Sequence, residues 1–162
     1  MKKLLLTTAI VMLATPAFAK NYTVKEVTNL SAPHHAYYFS PDHLTIRPGD
    51  TVTFVDTQNA THDVMFNTVP KALKQKIIMS PMLEKKGAEW SYTFTVPGTY
   101  HFHCHPHEAF GMKGTLIVGK ASKPGETSEV DHEEMTEHMK GMGNMDMSDM
   151  KMPMKDMSGM KK

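Results

Sequence analysis

The sequence predicts an all-β protein, a β-sandwich of Greek-key type, on three observations. Six or seven short runs between Asn21 and Val118 alternate apolar with polar residues in the manner of half-buried strands. Turn signals such as Pro48-Gly49-Asp50 and Pro97-Gly98 separate these runs. Only one stretch, residues 67–88, breaks the rhythm. Residues 20–121 are expected to form this domain, residues 1–19 to be removed, and residues 122–162 to remain a disordered tail.

The first segment has the make-up of a signal peptide. Lys2 and Lys3 precede an apolar run from Leu4 to Leu13, and Ala17-Phe18-Ala19 puts small residues at the two positions a signal peptidase reads. The run is too short to cross a bilayer, so the mature chain is expected in a bacterial periplasm, with no membrane insertion. Tyr22 and Val24 then share a face of the first strand. His34, His35 and His43 flank an aromatic patch of Tyr37, Tyr38 and Phe39. Leu44 and Ile46 alternate toward the turn at Pro48, Val52 and Phe54 alternate after it, and Gln58, Asn59 and Ala60 form a loop that delivers His62. In the excursion, Leu73 and Ile77 are four apart, which predicts a short helix or irregular segment ending near Pro81. Trp90, Tyr92 and Phe94 return to strand alternation, and Thr115 to Val118 reads as the closing strand.

Beyond Ser122 the composition changes. The tail holds ten of the sixteen methionines among Gly, Ser, Asp, Glu and Lys, without an aromatic residue, so no core is expected there. Charge is nearly balanced. Residues 20–121 carry ten basic and eight acidic side chains, a net of +2, and residues 122–162 carry six and nine, a net of −3. Neither value points to nucleic acid or to a strong membrane field.

The chemistry concentrates in Tyr100 to Met112, which contains the single cysteine. Cys104 is followed three positions later by His107 and eight positions later by Met112. In an exported protein a lone cysteine has no disulfide partner within the chain, and its setting among histidines favours a metal ligand. Thiolate and thioether sulfur are soft donors that suit copper better than calcium or magnesium. Two histidines, one cysteine and a weak axial methionine make a blue-copper electron-transfer site, so one further histidine must come from elsewhere, and His62 is the choice. Clusters such as Met150-Lys151-Met152-Pro153-Met154 in the tail offer several thioethers for Cu(I).

These residues resemble the cupredoxins, in particular their plastocyanin and pseudoazurin branch. The resemblance rests on Tyr100 ahead of the cysteine, on Cys104-His105-Pro106-His107, on Gly111-Met112, and on Pro48-Gly49-Asp50-Thr51-Val52 leading to His62; it spans most of residues 40–119. It implies one type 1 copper held by His62, Cys104, His107 and Met112; separately, Ala109 and Phe110 read either as an apolar rim around His107 through which a redox partner protein exchanges electrons or as ordinary loop packing. The histidine-rich strand and Met-rich tail are similar to the periplasmic copper-tolerance cupredoxins. The family usually has Asn after the upstream histidine, and Asp63 stands there instead. A carboxylate accepts the same backbone donors but donates nothing, and its charge favours Cu(II).

Strand alternation places His101 and His103 opposite Cys104, as a solvent-facing pair that is either two plain surface histidines or a chelate for a second copper, with His34, His35 or His43 as further ligands. His103-Cys104-His105 is also similar to a segment of multicopper oxidases, where the next ligand histidine comes five residues after the cysteine rather than three. The expected function is therefore copper handling and copper tolerance with electron-transfer capability, and not catalysis. The alternatives are a plain electron carrier between respiratory enzymes and a cuprous oxidase, which needs an open coordination position.

Overall fold

The computed structural model describes residues 18–130. The expected cleavage segment up to Ala17 and the Met-rich stretch from Asp131 onward lie outside them. Nine strands follow one another: β1 (Asn21–Thr28), β2 (Tyr37–Ser40), β3 (His43–Ile46), β4 (Asp50–Asp56), β5 (Met65–Pro70), β6 (Glu89–Phe94), β7 (Gly98–His103), β8 (Lys113–Val118) and β9 (Thr127–Glu129). They form a four-stranded sheet in the order β2-β1-β4-β6 and a five-stranded sheet in the order β3-β8-β7-β5-β9. β1 pairs with β4 and β3 with β8 in parallel, while the other ladders are antiparallel. This is the expected all-β sandwich. Among the described residues no helix is long and apolar enough to cross a membrane.

The alternation read from the sequence becomes the core. Val52, Phe54, Tyr100, Phe102, Leu116 and Val118 all point inward and are buried. Phe102 sits centrally, with ring centroids 4.9 Å from Phe39, 5.4 Å from Phe54 and 5.4 Å from Phe66, in edge-on or tilted contacts that aromatic quadrupoles favour. Gly114 makes this packing possible. A Cβ there would run into the Phe102 ring, so any larger residue at position 114 would displace the centre of the core.

One further expectation is met and one needs correction. The excursion is a short helical turn, the 3-10 segment Lys71–Leu73 that follows β5, and then irregular chain tied by isolated bridges at Met79 and Leu83. Ile78 and Leu83 are buried there, while Leu73 and Ile77, the pair whose spacing marked the segment, are partly buried against the core. The folded unit also runs nine residues past the expected boundary at Ala121. β9 joins the edge of β5 in register Thr68↔Glu129 to Pro70↔Thr127, and Val130 is buried with its N–H donating to the Asn67 carbonyl at 2.9 Å. One apolar residue and an open sheet edge suffice to order a segment whose composition reads as tail.

Candidate metal centre

Two loops at one end of the sandwich bring His62, Cys104 and His107 together. The first leaves β4 and is pinned by backbone exchange with the excursion: His62 N–H donates to the Leu83 carbonyl at 2.9 Å, and Leu83 N–H returns to His62 at 2.7 Å. Ser80 Oγ accepts the Val64 N–H at 2.9 Å. The second loop leaves β7 at Cys104 and turns through a 3-10 segment, His105–Phe110, with Pro106 in its first turn where a missing N–H costs nothing. Gly111 closes it in the left-handed region at φ 84°, a conformation that favours glycine. Cys104 N–H donates to the Met112 carbonyl at 3.1 Å, and Met112 N–H donates to the His107 carbonyl at 3.2 Å, so Met112 is buried beside the cysteine.

The donor atoms converge. Cys104 Sγ lies 3.6 Å from His62 Nδ1 and 3.3 Å from His107 Nδ1, and the three atoms all fall within 4.8 Å of one another. A thiol and two imidazoles at that separation match the donor set copper takes, and Met112 stands next to them. Burial pushes the Cys104 thiol up to about 12, opposed by the backbone N–H groups of Asp63 and His107. Burial, then repulsion from His107, lowers His62 to about 4, so its imidazole is neutral and able to ligate near neutral pH. Burial lowers His107 as well. The thiol therefore requires a bound cation to become thiolate, while the imidazoles require none.

Neighbours fix the ligands' orientation. His62 Nε2 lies 2.9 Å from Thr28 Oγ1, which leaves Nδ1 facing the sulfur. Asp63 Oδ1 accepts the His105 N–H at 2.6 Å, tying the two loops as its position after His62 predicts. Tyr37 stacks on His107 with centroids 3.8 Å apart and planes at 11°, and also touches Phe110, which is 66% exposed.

Sequence reasoning missed Thr28, the Tyr37 stack and two acids, Glu26 and Asp56, that are completely buried. The acids had a signal. Glu26 shares the parity of Tyr22 and Val24, and Asp56 that of Val52 and Phe54, so alternation already turns both inward. Glu26 has no hydrogen-bond partner for either carboxylate oxygen among the described residues. Burial, then Asp56 and Asp63, raise it to about 8.

His103 requires a correction. It is fully buried rather than solvent-facing, because Glu108 folds back from the 3-10 segment over it, with Oε2 3.7 Å from His103 Nε2 and Oε1 3.6 Å from Lys113 Nζ. His101 is exposed as expected, so the two do not form a surface pair.

Comparison with known proteins agrees with this geometry. The chain is 37% identical over 106 residues to plastocyanin from Prochlorothrix hollandica, covering 65% of this chain and 78% of that protein. It is 34% identical over 115 residues to plastocyanin from Synechococcus sp. (strain JA-2-3B'a(2-13)), covering 68% and 82%. Among solved structures, oxidised plastocyanin from Dryopteris crassirhizoma superimposes with a TM-score of 0.51 at 26% identity, covering 59% of this chain and 98% of that one. The model of copper binding proteins of the plastocyanin/azurin family matches residues 26–119, the span that runs from β1 through β8 and includes both loops, and it is to this family that the chain belongs.

Proposed function

We propose that the chain is an exported cupredoxin that binds one type 1 copper through His62, Cys104, His107 and Met112, passes electrons to a redox partner, and serves copper tolerance in the periplasm. The observation that carries the ligand set is the approach of two imidazole Nδ1 atoms to one buried sulfur, at 3.6 and 3.3 Å. Copper, when bound, supplies the one-electron chemistry. The protein's part is to hold the donors still: Thr28 orients His62, Asp63 ties the loops, and Tyr37 backs His107. A frame that does not rearrange between oxidation states keeps electron exchange fast. Export is supported by the pattern of residues 1–19, and copper tolerance by the methionines of the tail.

The test is to load the mature protein with Cu(II) and record visible and EPR spectra beside those of Cys104→Ala. An intense thiolate-to-copper band with narrow hyperfine splitting, both absent in the variant, is the expected result; a tetragonal spectrum indifferent to Cys104 would overturn the ligand set.

A plain electron carrier is the second reading, favoured by the likeness to plastocyanins. Removing the tail separates the two readings, and the cut must follow Val130 so that β9 stays in place. Lost copper tolerance with intact electron exchange supports the first reading, and unchanged tolerance supports the second.

A further inference from the structure

Away from the thiolate centre, two histidines on the solvent face of the five-stranded sheet stand in one row. β3, β8 and β7 are neighbours, and their pairing aligns His43 with Thr115 and Thr115 with His101. Paired positions on adjacent strands project to the same side, so the two imidazoles rise on either side of Thr115. Two strand spacings put their Cα atoms about 10 Å apart. Two imidazoles close such a gap around one ion, with metal–nitrogen bonds of about 2 Å. Both side chains are exposed, and with Asn67, Lys113, Gly114 and Thr115 they line a shallow cavity of about 210 Å³.

The two rings are also held in the same sense. His101 Nδ1 lies 3.1 Å from Thr115 Oγ1, and His43 Nδ1 lies 3.2 Å from Asp42 Oδ1. With Nδ1 engaged by an oxygen, each ring offers Nε2, the arrangement by which outer oxygens orient metal-binding imidazoles. Lys113 opposes a cation in the cavity, but Asp42 supplies a negative charge beside His43, and the Lys113 ammonium is itself 3.6 Å from Glu108.

We infer that His43 and His101 form a second metal site, for one divalent transition-metal ion bound through both Nε2 atoms and completed by water. Imidazole suits copper, nickel and zinc, and affinity among the divalent ions peaks at Cu(II). Lacking sulfur, the site is one for Cu(II) rather than Cu(I), and it uses no residue of the thiolate centre. His34 and His35 do not line the cavity, and the His35 ring is stacked on Tyr38 at 4.5 Å.

The experiment is a titration of Cu(II) into the mature chain whose thiolate site already holds Cu(I), followed by NMR of the imidazole C–H protons. Because each ring is seen separately, copper taken by the tail does not obscure the result. Substoichiometric Cu(II) should broaden His43 and His101 together and before His34 and His35. His101→Asn should weaken the effect at His43 about tenfold or more, while the visible spectrum of the oxidised thiolate centre stays unchanged. Broadening of His34 and His35 first, or broadening at His43 that is indifferent to His101→Asn, would overturn the site.

Discussion

The two loops that meet at the metal centre are built on opposite principles. The His62 loop is interior: His62 and Asp63 are buried, Glu26 and Asp56 lie buried on the adjoining strands, and the backbone is laced to Leu83 and Ser80. The Cys104–Met112 loop keeps only its two ends buried; between them it is a 3-10 turn with an exposed Phe110. One side sets charge and geometry, and the other provides access. The cost of change should differ accordingly, since buried polar groups in a low-dielectric interior are far more sensitive than exposed apolar ones.

The largest effect is expected at Glu26. Its carboxyl is pushed from 4.5 up to about 8 in the folded state, so the fold holds that proton more tightly than the unfolded chain does. The associated stability is fully present below pH 4.5 and is lost as the pH rises toward 8. At about 1.4 kcal/mol per unit the full loss is about 5 kcal/mol. Glu26→Gln should remove that slope, making the variant more stable than the parent at pH 9 but not at pH 4, as urea unfolding of the metal-free protein would show. Thr28→Val, which strips the partner from His62 Nε2, should cost about 1–3 kcal/mol in the same assay.

Asp63→Asn keeps an oxygen for the His105 N–H but removes a charge that acts on Cys104. The reduction potential of the copper-loaded protein should rise, by about 60 mV if the one-electron equilibrium moves tenfold. The smallest change belongs to the open loop. Tyr37→Leu loses the stack on His107 and should cost about 0.5–1.5 kcal/mol of stability; a larger loss would mean that the open loop is as tightly integrated as its partner.

Most of the fold and three of the four candidate ligands were legible because they rest on local spacing, whereas His62 had to be chosen from a distant loop. Alternation identifies the faces of β4, β6 and β7, and Cys104, His107 and Met112 are close in the chain. What escaped depends on contacts between distant segments. The face of His103 follows from alternation, but not the return of Glu108 that covers it. Tyr37 was visible as part of an aromatic patch, yet only tertiary packing lays it on His107. β9 is three residues of weak strand character, and the free edge of β5 gives it a place. Glu26 and Asp56 were legible by parity, but carboxylates read as surface until burial is seen.

The direction of β9 has a consequence for where the described chain ends. It runs antiparallel to β5, so Val130 reaches Asn67 as the chain travels back toward Met65, the end of β5 that leads to His62. The last described residue, Val130, therefore lies at the same end of the sandwich as His62, not at the far one. A strand of three residues thus turns the described chain back toward the pole of the molecule that holds His62.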